Sequence, residues 1–374
     1  MTGRGAGVQR RRRAGNRSLR GVVGGALVAA LVATGACGVD DDNAGPGTAG
    51  EPATDAAATS TADPVEAGIP EVDAVQPLPA GAVVSTGIPS ELPSEDTSCN
   101  PLLSLAPDDQ PPAERVPEIL DRGRLIVGLD QGSNLFSFRD PGTGELTGFD
   151  VDLAREISAD IFGNPDQVEF QSLTSANRIQ ALENDRVDLV IRSMSITCER
   201  RERITFSVPY FRAYQRVLAV RGSGIETIED LEGKRVCVAS GTTSAAHLRD
   251  SLDRITVLSV NTWADCLVAI QQNQVDAITT DDAILVGITA QDPYLQIVGP
   301  RLNAEPYGVG IAKSTRRNNT DGLVRQVNST LERIRNDGTW NRMYSTWLSG
   351  LGPSPGMPEP MYLPEPSTTP EPPR

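Results

Sequence analysis

The stretch Arg192–Tyr210, RSMSITCERRERITFSVPY, gathers the residue types that a carboxylate receptor needs. A hydrophobic run, Val187–Ile191, leads into three small hydroxyl residues, Ser193, Ser195 and Thr197, and Glu199 and Arg200 open a charged run behind them. Hydroxyls and backbone N–H groups at a strand end donate from one side of a carboxylate, and a guanidinium forks onto both oxygens from the other. The same residues also suit a solvated helix start after a buried strand, so this stretch alone leaves both readings open. A second stretch of matching chemistry follows at Ser240–Ser244, SGTTS, behind the apolar run Lys234–Ala239. Hydroxyls and N–H groups at a helix start favour an anion, although SGTTS by itself is equally a plain helix cap.

The elements that must position these residues alternate between strand and helix. Apolar runs predict strands at Leu125–Leu129, Val168–Gln171, Val187–Ile191, Val217–Val220, Lys234–Ala239, 255–259, 275–279, 296–298 and Tyr307–Ala312. Between them, 3.6-residue periodicity predicts helices over Gly148–Ile161, Ser175–Glu183 behind the cap candidate Thr174, Ser240 to about Leu252, 263–273 and Ala283–Ala290 behind Asp281 and Asp282. Two closing helices, 320–337 and 339–348, place Leu323, Val327, Leu331 and Ile334 on one face. Such alternation means an α/β fold with largely parallel sheets, whose sites lie at the carboxyl ends of strands. Both chemical stretches follow a strand, and no internal repeat is present.

Composition narrows the partners. The formal net charge is −15, and the first 36 residues hold seven arginines and no acid, which leaves −22 on the remainder. A body that acidic is a poor nucleic-acid binder. Residues 1–36 read as an export signal, with arginines at 10–13, 17 and 20 ahead of the apolar Gly21–Ala36, too short for a membrane span. The pattern resembles a bacterial lipoprotein signal in which Cys37 is lipidated after cleavage, although Thr34 stands where such signals usually carry Leu; an ordinary cleaved signal with a free Cys37 is the alternative. Lipid on Cys37 would hold the chain at the outer face of the cytoplasmic membrane.

Residues 37–98, rich in Ala, Pro, Thr, Gly, Asp and Glu, read as a disordered tether, and the proline-rich 351–374 as a disordered tail. The four other cysteines, Cys99, Cys198, Cys237 and Cys266, suggest two disulfides in an oxidising compartment, with three pairings available. With one histidine and no CxxC there is no metal-site pattern, and neither a cofactor nor a Ser–His or Cys–His triad is indicated. His247, in AAHLRDSL, reads as a surface residue.

In order along the chain, Gly148–Phe149–Asp150–Val151–Asp152–Leu153, SITCERRERITFSVPY, VASGTTS and VDAITTDDAIL resemble the polar amino-acid-binding proteins of ABC importers over about residues 115–350. Among relatives the likeness is strongest to the glutamine- and glutamate/aspartate-binding lipoproteins. The resemblance implies a two-lobed, type II periplasmic-binding-protein-like fold and a monomer. Lobe 1 would combine 115–218 with 305–350, lobe 2 would be 219–304, and Val217–Arg221 and Ala304–Gly308 would be the two crossover hinge strands. The preferred disulfides are then Cys237–Cys266 inside lobe 2 and Cys99–Cys198 pinning the end of the tether.

The resemblance also implies a ligand set. A buried zwitterion needs each charge met, since an unpaired buried ion is costly. Arg200 with Ser195 would meet the α-carboxylate, joined by Gly241, Thr242 and Thr243, while Asp281 and the carbonyl of Ser193 would accept from the α-ammonium. Arg178 matches an arginine that dicarboxylate binders direct at the distal carboxylate, and Asp130 an aspartate that glutamine binders direct at the amide. Ser133 and Ser175 occupy the positions of an aromatic pair. An Asp130–Arg178 ion pair is the plainer alternative; if Asp130 is near the ligand and ionised, Gln or Asn should gain, and if it is paired away, Glu or Asp should win. Phe138 and Trp263 would cover the ligand's aliphatic part or be ordinary core. The expected function is capture of a polar amino acid and delivery to an ABC importer permease, without catalysis. Signalling to a membrane sensor, or a dehydratase activity on the same fold, are the competing readings.

Overall fold

A computed structural model describes residues 77–86, 99–252, 254–315 and 318–364. Cys37, the export signal and most of the expected tether lie outside the described residues.

Two sheets carry the molecule. The first has the strand order Val168–Ser172, Leu125–Leu129, Leu189–Val190, Gly310–Ala312, Ile204–Phe206, with the first three parallel and Gly310–Ala312 antiparallel to both of its neighbours. Leu125, Val127 and Leu129 are fully buried, as a strand covered by helices on both faces requires. The helices Phe149–Phe162 and Asp321–Asn336 cover this sheet, the latter burying Leu323, Val327, Leu331 and Ile334 as its periodicity predicts. The second sheet runs Val83–Thr86, Thr256–Val260, Arg235–Ala239, Ala277–Asp281, Phe211–Val220, Leu295–Val298. Its two faces carry separate cores, one around Trp263, Leu267 and Ile284, the other around Ile228, Leu248 and Ile255. The helix Trp263–Gln271 starts at a capping box in which Thr262 and Asp265 satisfy each other's backbone N–H groups.

The strand Phe211–Val220 joins the sheets. Its first half, Phe211–Tyr214, pairs with Ala304–Tyr307, while Gln215–Ala219 pairs with Ala277–Asp281 inside the second sheet. The outgoing crossover is thus Phe211–Tyr214, upstream of the expected Val217–Arg221. Arg212, Tyr214 and Arg216 break the apolar run, yet they alternate with buried residues and continue one strand. The expected single strand at 307–312 is two, Ala304–Tyr307 in the crossover and Gly310–Ala312 in the first sheet.

Three further expectations are corrected. Part of the supposed tether is ordered: Val83–Thr86 pairs antiparallel with Thr256–Val260, and Asn261 and Gln274 side chains hold the carbonyls of Ala80 and Pro77. Part of the supposed tail is ordered too. Met361–Tyr362 pairs with Leu103–Ser104, Met357 joins the core, and Tyr362 donates to Glu332. In both segments low apolar content hid a few residues whose hydrogen bonds go to the folded body. The helix expected at Ser175–Glu183 begins at Arg178, because Thr174 and Asn177 bond each other's backbone and close a turn first. Disulfides join Cys99 to Cys198 and Cys237 to Cys266.

Candidate functional site

The carboxyl ends of both sheets face a common cleft. Its inner cavity, about 20 Å³, is walled on one side by Arg178, Ser193 and Ser195 and on the other by Thr242, Thr243, Trp263 and Asp281. Ser133, Ser137, Ser175, Arg192, Ser244, Thr280 and Ile284 complete it. A larger cavity of about 650 Å³ shares Ser175, Thr242 and Thr243 with the inner one and reaches the crossover at Glu305 and Tyr214.

Asp281 ends the strand Ala277–Asp281 and stands at the N-cap of the helix Asp282–Thr289, but its carboxylate makes no capping bond. Instead its Oδ2 accepts from Tyr307 Oη at 2.5 Å, and its Oδ1, buried, has no donor. Burial first, and the nearby Glu305 second, push this carboxyl well above the usual carboxylate range. A donor that brings positive charge would satisfy the atom and restore its ionisation.

Opposite stands a cation in the reverse condition. Arg178 is 3% exposed, has no carboxylate within ion-pair distance among the described residues, and leaves Nε without a partner there. Its Nη1 and Nη2 reach only the carbonyls of Arg192 and Gly241, at 3.3 and 3.5 Å. Burial, then the charges of Arg200 and Arg192, lower its pKa well below the arginine range. The Asp130–Arg178 ion pair, the plainer alternative read from the sequence, is not formed. Asp130 is bonded by Arg192 Nη2 at 2.8 Å and Ser133 Oγ at 3.2 Å on one oxygen, and by the N–H groups of Gln131 and Gly132 on the other. Arg192 also holds Leu173 O and Ser175 Oγ, so it is a structural brace that the sequence signal, an arginine opening a hydroxyl run, did not distinguish from a site residue.

Arg200 lies on the short helix Cys198–Arg203, capped by Thr197. Its guanidinium faces the cleft but lines the outer cavity, not the inner one, and donates to Ser195 O at 2.6 Å and Gly241 O at 3.2 Å. It therefore bridges the two halves of the cleft through their backbones. Gly241 likewise lines only the outer cavity. Its φ is +75°, and a Cβ there would lie 2.8 Å from Ala176 Cα on the other lobe, so only glycine permits this approach. Thr243 Oγ1 donates to Glu305 Oε2 at 3.0 Å and lies 3.4 Å from Ser195 Oγ, while Thr242 Oγ1 donates back to Ala239 O. Phe138 does not line the cavity; it packs edge-on against Trp347 with ring centroids 6.1 Å apart. Trp263 lines the inner cavity and also packs in the second core.

Ser193 adopts φ +42°, uncommon for a non-glycine residue. The turn is held by Asp150 Oδ2, which accepts from Ser193 N at 3.0 Å, while Asp150 Oδ1 accepts from Tyr210 Oη at 2.9 Å. Burial raises the Asp150 pKa to about 7 against these bonds. Tyr210 and Tyr307 belong to an aromatic cluster with Phe136, Phe149, Phe211 and Trp340, which thus supports a hydroxyl beneath each wall of the site. His247 is buried, not on the surface as expected, with Nδ1 2.6 Å from Gln215 Oε1. Among the described residues no His, Cys, Asp and Glu group could hold a metal ion, and no helix is long and apolar enough to cross a membrane.

Comparison with known proteins agrees with this architecture. The chain is 33% identical over 231 residues to the glutamine-binding protein GlnH of an ABC transporter of Bacillus subtilis (strain 168), covering 62% of this chain and 83% of that one. It is 31% identical over 236 residues to the glutamate-binding protein GluB of Corynebacterium glutamicum, covering 60% and 78%. An ancestral arginine-binding protein solved with glutamine bound is 34% identical and superposes with a TM-score of 0.55 over 61% of this chain and 98% of that one. Residues 125–350, which contain both sheets' central strands, the crossover and the whole inner cavity, match one family model, so the chain belongs to the bacterial extracellular solute-binding proteins, family 3.

Proposed function

We propose that this solute-binding protein captures a polar amino acid of the glutamate, glutamine, aspartate and asparagine group outside the cell and delivers it to an ABC importer. The observation that carries the reading is the pair of unsatisfied buried groups across one cavity, Asp281 Oδ1 and Arg178 Nε. Buried polar atoms are nearly always bonded, and a facing carboxyl and guanidinium that each keep one unpaired buried atom match a ligand of both charges. In this reading Asp281 receives the α-ammonium and Arg178 the side-chain carboxylate. Arg200, with Ser195 and Thr243, turns from backbone carbonyls to the α-carboxylate as the ligand enters. The inner cavity is far smaller than an amino acid needs, so the lobes part to admit it and close on it, each half-site adding differential affinity for the closed form.

Acidic ligands should bind more tightly than their amides. Asp130 has both oxygens engaged and its charge matched by Arg192, so it is poorly placed to hold an amide. Arg178 instead brings uncompensated positive charge. The arginine-rich segment, apolar core and Cys37 support lipid attachment at the outer face of the cytoplasmic membrane. A thermal-shift panel over the twenty amino acids tests the function, since ligand at a hundredfold excess over Kd stabilises by about 2.7 kcal/mol. Glutamate and aspartate should give the largest shifts; no shift with any of the four would end the reading, and an equal shift with glutamine would end the preference.

A further inference from the structure

Besides Asp281 Oδ1 and Arg178 Nε, the inner cavity holds another buried polar atom without a partner. Ser137 is 1% exposed, lines the cavity, and its Oγ makes no hydrogen bond among the described residues. Its placement follows from the strand it opens. Gly132–Ser133 and Ser137–Arg139 form an antiparallel hairpin in which Ser133 and Ser137 stand opposite each other, so their side chains leave one face together. Side chains alternate along a strand, so Ser137 lines the cavity while its neighbour Phe138 packs on Trp347.

The pairing also fixes the end of the cavity to which Ser137 belongs. Ser133 Oγ donates to Asp130 Oδ2 at 3.2 Å, Arg192 Nη2 donates to the same oxygen at 2.8 Å, and Arg192 Nη1 donates to Ser175 Oγ. These four side chains are committed to one another. Arg178 joins this end through its bond to Arg192 O, yet its Nε and the Ser137 hydroxyl stay unclaimed. A buried hydroxyl without a partner keeps its full desolvation penalty and so lowers the stability of the protein that carries it. Alanine would fill the same place without that penalty, and a group that costs stability at a cleft is the mark of a ligand contact.

Building on the proposed function, we infer that Ser137 is a specificity-determining residue of the cleft, its hydroxyl donating to the side-chain carboxylate that Arg178 receives. Arg178 brings the charge, and Ser137 adds a second donor from a different element. A hydroxyl also accepts, so it turns to the NH2 of a side-chain amide and makes a neutral bond there, about half as strong as one to a carboxylate. The Ser137 contact therefore adds to the preference for acidic ligands over their amides.

Titration calorimetry of glutamate and glutamine against the wild-type chain and Ser137→Ala, with thermal unfolding of both unliganded proteins, tests this. The substitution should weaken glutamate about tenfold and glutamine no more than about threefold. The unliganded midpoint should stay level or rise, because the variant sheds an unsatisfied group. A structural role for Ser137 predicts the reverse pattern, a lower midpoint with equal losses for both ligands, and that result overturns the inference. An unchanged glutamate Kd overturns it too and leaves the function standing. A variant that fails to fold also contradicts it, since a hydroxyl free of protein partners supports no packing of its own. Absence of saturable glutamate binding to the wild type overturns both the inference and the function.

Discussion

At the scale of single residues, the cavity is lined by buried charges of which some are matched within the protein and others keep an unpaired atom; in the proposed reading a ligand completes the latter. Asp130 and Arg192 neutralise each other, whereas Arg178 and Asp281 do not meet a partner of opposite charge at bonding distance. The division predicts different effects for the arginines. Arg178→Ala should weaken glutamate binding by about 2–3 kcal/mol while glutamine is nearly unaffected, because it removes a charge-assisted contact to the distal group only. Arg200→Ala should weaken both ligands alike; calorimetry with the two ligands separates the cases. Asp150 supplies a stability prediction. Its carboxyl titrates near 3.8 when exposed and about 7 in the fold, so the folded protein holds a proton that the unfolded chain has released. The stabilisation is complete below pH 4 and is lost as pH rises through about 7, amounting to about 4 kcal/mol. Urea unfolding at pH 4.5 and 8 should show this decline, and Asp150→Asn should remove most of it. The SITCER, SGTTS and DDAIL stretches, together with the family resemblance, pointed to Asp281, Thr243 and Ser195, which line the inner cavity. They did not reveal that Asp130 binds Arg192 and not Arg178, since sequence position does not decide which arginine the packed fold brings to the carboxylate.

At the scale of elements, each half-site is delivered by a strand end and the turn behind it, and the two halves touch where backbone meets backbone. Gly241 approaches Ala176, and Gly287 lies against the carbonyl of Asn134, whose side chain donates to Gly287 O at 2.9 Å. Gly241→Ala should therefore hinder closure. A Cβ at 2.8 Å from backbone cannot be relieved by a rotamer change, and the positive φ adds roughly 1 kcal/mol. Glutamate affinity should drop at least tenfold with the circular dichroism spectrum unchanged, and wild-type affinity would argue that the lobes do not close at this point. Elements with strong periodicity, such as Asp321–Asn336 and Leu125–Leu129, were legible along the chain. The crossover and the ordered ends were not. Their paired segments are short, half polar, and specified by partners far away in the chain, as when Met361–Tyr362 pairs with Leu103–Ser104 and Phe211–Tyr214 with Ala304–Tyr307.

At the scale of the whole molecule, two lobes with separate cores share one aromatic cluster at the crossover, from which Tyr210 and Tyr307 reach Asp150 and Asp281. This arrangement would let each lobe keep its own packing if the cleft opens and shuts as proposed. In the proposed reading ligand energy comes from completing a charge pattern divided between the lobes, and the part of that pattern most dependent on the protein's own incompleteness is Asp281 Oδ1. The most direct measurement compares glutamate with glutarate, which keeps both carboxylates and lacks the ammonium, by titration calorimetry at neutral pH. Recognition of the zwitterion by Asp281 predicts saturable binding of glutamate and at least hundredfold weaker binding of glutarate; equal affinities would contradict it.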